Sequence, residues 1–92
     1  MVSLIELNGK KVVTTDAFDI GEVAGVELDL VKATILYLKV DLSKQAAKEF
    51  GFKVPYMGSV VICIPWNYTQ AYGHVVNLNV PLSQLKTLKE CS

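Results

Sequence analysis

Between Val26 and Leu42 the chain keeps a two-residue period that leaves few folds open to it. Val26, Leu28 and Leu30 fall on one side of an extended chain, with Glu27 and Asp29 on the other. After Val31-Lys32-Ala33, Leu36, Leu38, Val40 and Leu42 share one face while Lys39 and Asp41 share the opposite one. Successive side chains of a strand point to opposite faces, so this period predicts two long strands joined as a meander. Val23 stands three residues before Val26 and is out of phase with it. One extra residue near Gly25 restores the register, which predicts a β-bulge and a sharp bend there. Bends of that kind let a small sheet curl into a barrel.

The flanking segments agree with a mainly β chain. Residues 11–15 form a short β-branched run that stops at Asp16-Ala17-Phe18-Asp19 before Ile20 restarts the pattern. Ser43 is placed to cap a short helix over residues 44–50, stopped by Gly51. A loop from Lys53 to Gly58 leads into residues 59–64, apolar on both faces and therefore in need of cover on both. Residues 66–73 read as a helical turn or corner. Val76, Leu78 and Val80 mark a last strand, and Pro81-Leu82-Ser83 opens a C-terminal helix with Leu82, Leu85 and Leu88 as its stripe. No repeat or linker divides the chain, so residues 1–92 are expected to form a single domain. The expected architecture is a small, strongly bent β-barrel with one or two short helices and a C-terminal helix.

Composition narrows the partners. A domain of 92 residues hides only about 60–65% of its unfolded surface. With 51% apolar residues and zero formal charge, apolar surface is expected to stay exposed or to meet a partner. All nine basic residues are lysine and lie interleaved with nine acids, so the planar arginine fork that grips phosphate and guanine is missing. Nucleic acid is not expected as a ligand. The longest apolar run, residues 60–64, ends at Pro65, far short of a membrane span, so no direct membrane insertion is expected. The N-terminal residues lack a signal-peptide layout, which points to the cytoplasm. Cys63 sits in an apolar strand pattern and Cys91 near the chain's end; their spacing fits neither a zinc motif nor a redox pair.

Catalytic material is sparse. His74 stands alone in the turn before the last strand and reads as a solvated surface group. Glu27 and Asp29 alternate on a strand face like ordinary solvent-facing carboxylates, and no metal or cofactor is expected. The aromatic and apolar supply stands out instead. Tyr56 and Met57 share one loop, Trp66, Tyr68 and Tyr72 lie at or after the Pro65 corner, and Phe18 sits in the first loop. Ile35 and Tyr37 interrupt an otherwise charged strand face. Such residues are enriched at interface centres, though a ring beside a strand end also serves as a lid on the core. Trp66 is the better anchor of the set, with Trp66→Ala expected to weaken assembly and leave folding intact.

The stretches Leu7-Asn8-Gly9-Lys10-Lys11-Val12-Val13, Ile20-Gly21-Glu22-Val23 with Val26-Glu27-Leu28-Asp29, Gly58-Ser59-Val60, Ile64-Pro65 and Tyr72-Gly73-His74-Val75-Val76-Asn77-Leu78 together resemble a PRC-barrel domain, above all the short stand-alone PRC-barrel proteins of archaea. Trp66 and His74 depart from the smaller residue and the Asp common in the family at those places. The resemblance implies a non-enzymatic interaction module: a homodimer or higher oligomer, or a pair with a paralogous barrel, acting in the cytoplasm at the division site as an adaptor to a SepF-type protein and the FtsZ machinery. The alternative it implies is a ribosome-maturation helper like the PRC-barrel half of RimM. Different patches on two faces would propagate into a filament, whereas matching patches would close a dimer.

Overall fold

The computed structural model describes residues 4–53, 59–88 and 91. A short N-terminal helix, α1 (Leu4–Leu7), precedes β1 (Lys11–Val13), and the long pair β2 (Asp19–Asp29) and β3 (Thr34–Leu42) follows. Then come α2 (Lys44–Glu49), β4 (Val61–Pro65), one 3₁₀ turn (Trp66–Tyr68), β5 (Thr69–Tyr72), β6 (Val75–Leu78) and α3 (Leu82–Leu85). The strands make one six-stranded sheet in the order β4-β3-β2-β1-β6-β5, antiparallel except between β1 and β6.

Topology alone forces this sheet to curl. Its two edges, β4 and β5, are joined only by residues 66–68, which span at most about 14 Å from one strand end to the next. Five strand spacings across a flat sheet would separate the edges by about 24 Å. The sheet therefore wraps around an interior, filled from every side by the inward residues Val12, Ile20, Leu38, Val40, Ile62, Ile64, Val76 and Leu78.

The bulge expected near Gly25 is present. Val23 partners Val40 and Gly25 partners Lys39, so Ala24 is the extra residue. A second irregularity leaves Ile20 as the extra residue opposite β1, which is why Ile20 and Gly21 are buried in succession. At Gly21, φ is +148° and a Cβ would lie 2.1 Å from the Asp41 carbonyl oxygen, so only glycine lets β2 and β3 approach this closely. Ser43 caps α2 as expected, its hydroxyl accepting from the Ala46 N–H at 3.1 Å, and Gly51 follows with φ +84°. Ala46 and Ala47 are buried, and Phe50 and Phe52 pack behind them.

Helix α1, one turn long, carried no legible signal. Two expectations need correction. Residues 69–72 are a strand, not a continuation of the corner, because Thr69 and Tyr72 pair with Leu78 and Val76. Leu36, though in phase with Leu38, is not a core residue, for the reason given next.

Candidate protein-interaction surface

The strands are unequal in length, and the inequality makes the site. Partner β1 pairs with β2 only from Asp19 to Glu22, and β4 pairs with β3 only from Tyr37 to Asp41. Beyond those points β2 and β3 continue as a two-stranded ribbon that no third described strand joins, and it projects past the barrel. The five exposed large apolar side chains among the described residues lie on it or at its base: Leu28 at 43%, Leu30 at 84%, Val31 at 95% and Leu36 at 45% exposure, with Tyr37, which pairs with Pro65 of β4, at 40%. Ile35 is half-buried beside them. Leu36 is skipped by the register, since Glu27 partners Tyr37 and Leu28 partners Ile35.

Local chemistry holds the tip in a defined turn. The Asp29 carboxylate accepts from the Val31 N–H at 3.0 Å and the Lys32 N–H at 3.2 Å, an Asx-type arrangement that leaves the leucine and valine outward. Ala33 completes the turn with φ +53°. At the ribbon's base Lys39 and Glu27 form an ion pair at 3.6 Å. By the register Tyr37 shares the face of Glu27 and Ile35 that of Leu28, so apolar side chains stand on both faces of the ribbon and at its tip, interleaved with Glu27, Asp29, Lys32 and Lys39.

The aromatic corner has a different character. Trp66 and Tyr68 are half-buried and pack against the core, as does Phe18. The corner is tied to the end of β6: the Asn79 N–H donates to the Tyr68 carbonyl at 2.7 Å, and the Asn79 side chain donates to the Asn67 carbonyl at 2.8 Å. Half-buried against the core, these rings have the placement of a lid, a role in which Trp66→Ala acts on stability, whereas an anchor role gives the assembly defect inferred from sequence. Tyr72 lies on β5, and Tyr56 and Met57 fall outside the described residues. Of the residues singled out by sequence, Ile35 and Tyr37 are thus the two brought together on the ribbon. Leu28, Leu30, Val31 and Leu36 were missed; the legible signal was Leu30-Val31 in a turn, where polar residues are the rule.

His74 is exposed in the bend between β5 and β6. Glu27 serves the ion pair and Asp29 the turn described above. An open groove of about 430 Å³ runs past Lys11, Asp19, Glu22 and Asp41, with Lys11 and Asp19 paired at 3.4 Å. Asp16 accepts from the Thr14 hydroxyl and the Leu82 N–H, tying the first loop to α3. Chiefly through the Thr14 hydroxyl, its carboxyl is held below the ordinary value of 3.8.

The cysteines correct the sequence reading outright: Cys63 and Cys91 form a disulfide with Cα atoms 5.5 Å apart. A separation of 28 residues carries no local motif. The pairing arises because the chain returns to β4 after α3, where the Cys91 N–H donates to the Val61 carbonyl at 2.7 Å.

A comparison with family profiles matches residues 1–85 to the PRC-barrel domain. The chain belongs to the PRC-barrel family. The match embraces every strand of this PRC barrel and ends at Leu85 in α3, so that Cys91 lies beyond it. No curated protein matches the chain. Among the described residues no helix is long and apolar enough to cross a membrane.

Proposed function

We propose that this PRC barrel is a non-enzymatic interaction module that self-associates, or pairs with a paralogous barrel, through the projecting β2–β3 ribbon. In this reading it works in the cytoplasm as an adaptor of a division complex of the SepF and FtsZ kind. The observation that carries the proposal is the concentration of the exposed large apolar side chains on one ribbon, outside a barrel whose interior is already filled. A two-stranded ribbon with nothing on its faces is marginal in water, and burial against a second surface would stabilise it. Ribbons packed face to face about a two-fold axis would close a dimer, whereas use of both ribbon faces would propagate the contact.

Recovery of partners from the native cytoplasm tests the assignment. Enrichment of division proteins with the tagged chain, lost when Leu30 and Val31 are replaced by serine, is the expected result. Co-purification with the small ribosomal subunit would overturn it in favour of a ribosome-maturation role.

A further inference from the structure

The backbone around the disulfide shows what the bond does. In the antiparallel pair of β3 and β4, carbonyls alternate between facing the partner and facing away. The Leu42 N–H donates to the Val60 carbonyl at 2.9 Å, so the carbonyl of Val60 faces β3 and that of Val61 faces outward, along the free edge of the sheet. Cys91 takes that outward carbonyl. Its sulfur is bonded to Cys63, whose side chain alternates with the buried Ile62 and Ile64 and so lies on the outer face, half-exposed like Cys91. The bond thus ties Cys91 to an edge strand on the outer face of the sheet. Free edges are templates for unwanted pairing and are commonly blocked.

We propose that Cys63 and Cys91 form a thiol-redox latch that caps the β4 edge when oxidised and uncaps it when reduced. The reductant is a dithiol. One of its thiolates attacks a protein sulfur, the Sγ–Sγ bond breaks, and a mixed disulfide forms with the other protein sulfur leaving as thiolate. The second thiol of the reductant closes its own disulfide and releases the remaining protein sulfur. Two electrons pass to the protein pair, which takes up two protons, while the reductant is oxidised by the same two electrons. In a reducing compartment a disulfide is usually transient and sensing in character, and its placement on an edge strand gives the change a structural output. The latch is independent of the ribbon, and its sensing role rests on the cytoplasmic setting of the proposed function.

The full chain, oxidised with glutathione disulfide, is treated with dithiothreitol in native buffer, and free thiols are counted by alkylation and mass spectrometry. Two labels per chain after reduction and none before are expected, with a rate that rises in proportion to reductant, as for an accessible bond. Hydrogen exchange at the Cys91 amide should quicken at least tenfold on reduction while the Val12 and Val40 amides stay protected. Cys91→Ser, which leaves the barrel strands untouched, should match the reduced protein in either buffer. Closing a loop of this length should also raise Tm by on the order of 10–20 °C in the oxidised form. Two free thiols after oxidation, a reduction rate that levels off at the rate of global unfolding, or a Cys91 amide equally protected in both states would each overturn the latch.

Discussion

Strand β3 carries the same alternation along its whole length, yet its two halves live in different environments. Leu38, Val40 and Leu42 are buried between β2, β4 and the far wall of the barrel, whereas Leu36, two residues earlier in the sequence pattern but skipped by the register, is open to solvent. The difference lies in the neighbours. Strand β4 ends opposite Tyr37 and β1 ends opposite Glu22, so the outer half of the hairpin has no third layer to pack on. Alternation reports which face a side chain takes; the lengths of the other strands decide whether anything covers that face.

The contrast breaks most directly at the leucines. Leu38→Ala should lower the unfolding free energy by about 3 kcal/mol in urea titration, the ordinary cost of emptying a filled core position. Leu36→Ala should cost less than about 1 kcal/mol in the same assay. A similar loss at both positions would show that the ribbon is packed like the barrel.

Next in size is the glycine contrast within β2. Gly21→Ala places a methyl group against the Asp41 carbonyl and should cost about 2–3 kcal/mol, since backbone must move. Gly25→Ala meets nothing within 4 Å, and its cost, about 1 kcal/mol, comes from backbone conformation alone. Equal thermal shifts for the two variants would remove the close-approach argument.

Tyr37→Ala and Trp66→Ala sharpen the division between ribbon and corner. The first should weaken self-association about tenfold by analytical ultracentrifugation with little change in Tm. The second should lower Tm and leave the association of the folded fraction unchanged. The reverse pattern would restore Trp66 as the anchor.

The smallest effect concerns Asp16. Its folded-state carboxyl is held low, so the stability it adds is present above the ordinary value of 3.8 and is lost as pH falls through the depressed folded value. Acid titration followed by circular dichroism should show Asp16→Asn losing stability less steeply than the parent below that pH. The carboxyl is exposed, so the difference should be modest.

Much of the barrel was legible because its signals are local. The phase slip between Val23 and Val26 announced the bulge, Ser43 and Gly51 bracketed α2, and the period through Val76 and Leu78 marked the last buried strand. Features that depend on distant neighbours were not legible. The exposure of Leu36 is set by where β4 stops and by the register shift that skips it, and the Cys63–Cys91 bond by the return of the chain to the β4 edge. Trp66 looked like an anchor because large aromatics at a corner serve interfaces and lids equally well; only the packing of the strand ends separates the two. Of the candidate surface, Tyr37 and Ile35 were visible as apolar residues on a charged face. The tip was passed over because Leu30 and Val31 continued the hydrophobic pattern into the turn.

The central claim is that the projecting ribbon is completed by another copy or a paralogous barrel. Sedimentation equilibrium of the purified chain over a wide concentration range, beside the chain carrying Leu30→Ser and Val31→Ser, tests it most directly. A concentration-dependent dimer for the parent and a folded monomer for the variant is the expected result. A parent that remains monomeric at millimolar concentration, or a variant that associates as tightly as the parent, would contradict it.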